Sequence, residues 1–127
     1  MSFGFEPAYG LVIVQAELWG PTGSTVLRMA LDTGAITTLI NATPLVWVGY
    51  DPALIHDRVQ ITTGSGIEFA PLVKVQRISA LGQQRADHTV VCHTLPPSAD
   101  VDGLLGLDFF RGQSLRIDFR AGEITLS

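Results

Sequence analysis

The residues best suited to chemistry lie in three segments. The first is Ala30-Leu31-Asp32-Thr33-Gly34-Ala35. It sets a carboxylate directly after an apolar run and follows it with Thr-Gly. An acid so placed is a candidate for acid–base work. It is equally a candidate for a plain turn, because Asp and Gly both favour turns. The second segment is Thr62-Thr63-Gly64-Ser65-Gly66, about 30 residues on. Its glycines suit a mobile hairpin tip of low bulk, although most such tips are only turns. The third is Val101-Asp102-Gly103-Leu104-Leu105-Gly106-Leu107-Asp108. Two bulky apolar residues, then Gly, allow a helix to pack closely on a strand.

Other reactive side chains form no pattern. His56, His88 and His93 lack metal-ligand spacing, and there is no Cys-x-x-Cys. No metal and no cofactor is called for. Cys92 and His93 are neighbours on a strand, so they point to opposite faces and cannot act as a nucleophile–base pair. Cys92 reads as a small buried residue. Asp108 reads as an acid in a first helical turn, favoured by the helix dipole. Trp19, Trp47 and Tyr50 read as core or interface aromatics. Leu45 to Tyr50 is apolar enough for an interface, with ordinary core the simpler reading.

Short β-like runs separated by Gly and Pro must position these residues. Leu11 to Leu18 and Thr25 to Leu31 read as a hairpin joined through Gly20-Pro21-Thr22-Gly23. Ile36 to Ile40 resumes an extended pattern, and a Pro-containing stretch runs from Asn41 to Pro52. Arg58 to Thr63 and Ile67 to Lys74 form a second hairpin. Lys74 to Leu81 continues or pairs with it, Gly82-Gln83-Gln84 supplies a turn, and Ala86 to His93 is another strand. Leu104 to Phe110 is the best helix candidate. Leu115 to Phe119 and Glu123 to Leu126 close the chain as a hairpin through Arg120-Ala121-Gly122. The count is about eight or nine strands and one helix, which predicts a mainly antiparallel β barrel or folded sheet.

Composition bounds the rest. The chain has 127 residues, 46% hydrophobic and 16% charged. That excludes disorder and predicts one domain over residues 1–127. So short a chain cannot hide all its apolar surface alone, which points to a partner. Twelve acids against eight Lys and Arg give a net charge of −4, without the basic surplus of a nucleic-acid binder. One cysteine precludes an internal disulfide. No apolar run reaches the roughly 18 residues needed to span a bilayer, and the first residues lack a signal-peptide pattern. The cytoplasm is the expected compartment. A chain trimmed of an N-terminal anchor would read the same.

In order and spacing the three segments resemble the retropepsin-like (retroviral-type) aspartic proteases. The likeness runs from about Leu11 to the last residues and looks closer to cellular and bacterial members than to viral ones. It implies an all-β fold, a pepsin-like single-lobe closed barrel with one short helix in the C-terminal region. It implies hydrolysis of peptide bonds by two carboxylates that share a proton, one activating water and the other protonating the carbonyl. No other acid of the chain sits in a second Asp-Thr/Ser-Gly context. The resemblance therefore implies a homodimer with Asp32 of each copy meeting on a two-fold axis, and a peptide or protein substrate.

Roles follow by resemblance. Asp32 is the catalytic acid/base, and Thr33 braces the two loops across the dimer. Gly34 and Ala35 offer backbone to the substrate. Thr63, Gly64, Ser65 and Gly66 form the flap, while Ala30, Val101 and Leu104 line side-chain subsites. The sequence departs from viral members at two places. Ile36 and Leu107 stand where those carry an acid and an Arg, which reads as an ion pair exchanged for apolar packing. The flap also lacks an aromatic near its tip apart from Phe69. Two other readings stay open: a catalytically silent peptide-binding or regulatory module on the same fold, and a monomer that is inactive until it assembles.

Overall fold

The computed structural model describes residues 1–127. The strands are β1 (Ser2–Gly4), β2 (Ile13–Gly20), β3 (Gly23–Leu31), β4 (Leu39–Ile40), β5 (Arg58–Thr63), β6 (Gly66–Ala80), β7 (Gln83–Cys92), β8 (Gly103–Leu105), β9 (Leu115–Asp118) and β10 (Glu123–Leu126). Two short helices, α1 (Ala42–Trp47) and α2 (Leu107–Phe110), and two 3-10 turns complete the chain.

Six strands close on themselves. They run β2-β3-β8-β4-β7-β6, and β6 pairs back onto β2. The interior is filled from alternate positions of each strand: Leu18 from β2, Leu27 and Met29 from β3, Ile40 from β4 and Ile78 from β6. This is the closed all-β barrel that the family resemblance implies, and the barrel of the two forms, barrel or folded sheet, that the strand pattern allows. A second sheet, β1-β10-β9, adds Ile124 and Leu126 to the same core.

β6 is long enough to do two jobs. Its second part, from Leu72, pairs with β7 inside the barrel, whereas Gly66 to Pro71 pairs with β5 alone. The β5–β6 hairpin therefore projects from the barrel. Ile67 and Phe69 are exposed on it. Of the two alternatives for Lys74 to Leu81, that it continues the preceding strand or pairs with it, the first holds: the chain stays extended through Lys74 as one strand.

Several boundaries differ for physical reasons. The helix expected over Leu104 to Phe110 begins only at Leu107, because Gly103–Leu105 is a strand held between β3 and β4. Three residues, Gly103-Leu104-Leu105, are too few to show a period of two, and their apolar run leads straight into α2. The Asn41 to Pro52 stretch contains α1. Pro44 falls in its first turn, where its missing N–H costs nothing, and Gly49 ends it with φ +100. Leu45 and Val48 face the core, but Val46 and Trp47 lie in solvent, so the simple core reading fails for those two. Of the predicted Ile36 to Ile40 strand only Leu39–Ile40 pairs. The last barrel turn is Leu81-Gly82, both at positive φ, which starts β7 at Gln83. β1 is too short to show a pattern in sequence and forms by pairing with β10. No helix is long and apolar enough to cross a membrane.

Candidate active site

Asp32 follows the last residue of β3. Its N–H donates to Leu105 O of β8 (2.9 Å), and its Oδ1 accepts the Gly34 N–H (2.8 Å). Ala35 N–H closes the turn on Asp32 O (3.2 Å). The carboxylate is half-buried at the bottom of a short loop, with Thr33 and Gly34 exposed beside it. No side-chain hydrogen bond within the chain uses the Thr33 hydroxyl.

The loop is stitched to the apolar-Gly segment. Leu107 N–H donates to Ala35 O (2.8 Å) and Asp108 N–H to Ile36 O (3.2 Å). Gly106 lets the two strands of backbone approach. A Cβ there would lie 2.8 Å from Ala35 O, 2.9 Å from the Thr37 carbonyl carbon and 3.0 Å from Thr38 N. Gly103 is as confined, against the backbone of Leu39 and Ile40.

Of the three subsite residues, Ala30 and Leu104 are register partners on β3 and β8. Ala30 and Val101 are buried in the chain, so Leu104 alone of the three offers partial surface. The four residues expected to form a flap bond among themselves. Thr63 Oγ1 donates to Gly66 O (3.2 Å), accepts the Ser65 N–H (3.3 Å) and lies 3.1 Å from Ser65 Oγ. Gly64 and Ser65 make the turn, and Gly66 (φ +125) opens β6. The expected packing of Ile36 does not occur within the chain: Ile36 is 74% exposed, beside the Asp32 loop.

One polar group behind the loop escaped the sequence reading. Asp108 does stand in the first turn of α2, but its carboxylate is fully engaged. Oδ1 accepts the Thr38 N–H (2.9 Å) and the Thr38 hydroxyl (2.8 Å), and Oδ2 lies 2.8 Å from His88 Nε2 of β7. Thr38 is the one fully buried polar side chain. Burial pushes the Asp108 pKa up, but the hydrogen bonds from His88 and Thr38 outweigh it, and the carboxyl is held below the ordinary value of 3.8. The only hint in sequence was an acid inside an apolar run.

The lowered pKa fixes a sign. The stability that Asp108 contributes is present above its unfolded pKa and is lost as pH falls through the depressed folded value. Urea unfolding should therefore show wild-type stability declining below about pH 4, the ordinary carboxylate range. Asp108→Asn should flatten that decline, and the two curves should converge at the acid end. Parallel curves would mean that the carboxylate is not coupled to folding.

Cys92 lies in the core on β7, and burial pushes its thiol pKa up, only partly countered by the Arg58 charge. His93, next to it, points the other way, with Nδ1 3.5 Å from Glu68 of the projecting hairpin. No three His, Cys, Asp or Glu side chains gather as a metal site.

Comparison with known proteins agrees with this geometry. The family model described as "gag-polyprotein putative aspartyl protease" matches residues 22–112. No protein with a curated description matches the chain. Among solved structures, a retropepsin-like aspartic protease from Rickettsia conorii superposes with a TM-score of 0.73 at 16% identity. The match covers 99% of this chain and 88% of that one. At that identity the likeness establishes the fold.

Proposed function

This chain belongs to the retropepsin-like aspartyl protease family, and on that premise we propose that it is an endopeptidase whose active site is completed by a second copy of itself. Residues 1–127 act as the single protease domain. One observation carries the reading. Asp108, the acid on the segment packed against the Asp32 loop, has both oxygens committed to Thr38 and His88. It is not free to share a proton with Asp32. On this reading the second carboxylate comes from outside the chain, and a second Asp32 supplies it. The exposed Thr33 and Ile36 on the same loop fit a surface that another copy covers.

Two Asp32 carboxylates at one site cannot both ionise, so the pair holds one proton. The ionised member takes a proton from water, and the hydroxyl oxygen bonds to the scissile carbonyl carbon. The protonated member gives its proton to the carbonyl oxygen, which makes a tetrahedral diol. The member that took the proton from water then gives it to the amide nitrogen while the other takes one from a diol hydroxyl, so the C–N bond breaks, the new carboxylic acid forms and the pair again holds one proton. The Gly34 N–H holds Asp32 Oδ1 and so fixes the orientation of the carboxylate. The projecting β5–β6 hairpin serves as the flap, with Thr63, Gly64, Ser65 and Gly66 at its tip. It covers an extended peptide and excludes water. Ala30, Val101 and Leu104 contribute to the side-chain subsites.

A mixed-peptide digest tests this reading. Cleavage should stop with a transition-state inhibitor of aspartic peptidases. Activity per chain should also fall on dilution, in step with dissociation seen by sedimentation. Cleavage that ignores the inhibitor would overturn the mechanism. Full activity in a species that sediments as a monomer would overturn the shared site. A dimer that binds peptides and never cuts them would leave the silent module as the better account.

A further inference from the structure

The Asp32 loop is fastened from behind by side chains that the reaction itself does not use. Thr38 sits six residues after Asp32 and is completely buried. Its hydroxyl donates to Asp108 Oδ1 (2.8 Å), which turns a lone pair toward Gly106 N–H (3.1 Å). Its own N–H donates to the same Oδ1 (2.9 Å). His88 reaches the other oxygen of Asp108 from β7, the opposite side of the barrel seam (2.8 Å). A carboxylate only accepts, so His88 donates from Nε2.

We propose that Thr38, Asp108 and His88 are positioning residues for peptide hydrolysis, setting the height and angle of the Asp32 loop against the barrel. The inference rests on the reading of Asp32 as the catalytic acid. The geometry supports it in two ways. Each member ties a different element: Thr38 the loop, Asp108 the helix α2, His88 the strand β7. And the bonds converge on the Asp108 carboxylate, while the Thr38 hydroxyl also accepts the N–H of Gly106, where an added Cβ would press on Ala35 and Thr37. A shift of one partner is passed to the loop as a rigid displacement, because a packed interior does not absorb it. Misplacement of a reacting group by about 1 Å can cost on the order of a hundredfold in rate. Apolar packing would hold the same elements together, but without direction. Hydrogen bonds to two oxygens of one carboxylate fix orientation as well as distance.

Thr38→Val is the decisive variant, since it keeps the shape and removes the hydroxyl. It should lower kcat by about tenfold to a hundredfold, the range for a misaligned catalytic group, with KM nearly unchanged. Thr38→Ser should restore most of the loss. His88→Gln, which can keep an N–H donor, should outperform His88→Leu. Val90→Ala supplies the control: it thins the buried barrel wall on β7 and should lower thermal stability while kcat is kept. Amide exchange at Gly106 should speed up in Thr38→Val relative to the barrel amides. If kcat in Thr38→Val equals wild type, or falls only as far as in a variant of matched stability, positioning is refuted. Failure of the parent reading looks different. Asp32→Asn would then cleave like wild type, whatever Thr38 does, and the exchange measurement would still report on the brace.

Discussion

Asp32→Asn yields a folded protein that cleaves no peptide. The side chain keeps its size, and the amide oxygen still accepts the Gly34 N–H that now ends on Oδ1 (2.8 Å). The Asp32 N–H bond to Leu105 O is main-chain and does not change. The thermal midpoint should therefore match wild type. An amide cannot take a proton from water, so general base and general acid are lost together in the pair. Each such role is worth about a hundredfold to ten-thousandfold, and the variant should sit at or beyond the upper figure. Dimerisation should be no weaker, because two amides meet without the repulsion of two carboxylates. Mixing sharpens the test. When wild type is diluted with the variant under exchange conditions, activity should follow the square of the wild-type fraction, since only one pairing in the mixture has both acids. A linear decline would mean that each chain works alone.

The site and its surroundings were legible in sequence to different degrees. The turn at Asp32-Thr33-Gly34 could be read because its information is local: an apolar run, an acid, a residue that permits a tight turn; its catalytic reading comes only from the order of three segments and their resemblance to a family. The β2–β3 and β9–β10 hairpins were legible for the same reason, through alternation and turn residues. β8 reads as helix in sequence because it has only three residues and its apolar pair leads straight into α2, so no alternation shows. α1 was hidden by its length of six residues and by Pro44, which reads as a breaker unless its place in the first turn is known. The Thr38–Asp108–His88 cluster could not be read at all. Its members are separated by 70 and 20 residues, and only the closure of β7 and β4 against β8 brings them together. Local chemistry is written in neighbours, whereas bracing is written in topology.

Gly106→Ala is expected to damage stability and activity together with one added methyl group. Its backbone is ordinary, with φ −95, so alanine meets no conformational penalty there. The obstacle is space. The added methyl would press on Ala35 O at 2.8 Å, the Thr37 carbonyl carbon at 2.9 Å and Thr38 N at 3.0 Å. All three are backbone atoms of the loop that carries Asp32, and none can swing aside as a side-chain end would. Overpacking of this kind costs about 1–3 kcal/mol, which should lower the thermal midpoint by about 5–10 °C in a domain of this size. The displaced atoms lie between Asp32 and Thr38, so activity should fall further than stability alone explains. Gly64→Ala makes the comparison. A Cβ at Gly64 meets nothing within 4 Å, and that variant should melt with wild type. If Gly106→Ala also melts with wild type and cleaves normally, the contact between the two segments is not tight, and the case for a rigidly held Asp32 loop falls with it. If the expected pattern is found, the glycine after Leu104-Leu105 is needed for proximity. Gly64 is tolerant because it faces open space, so the same residue type is required by packing in one segment and not in the other.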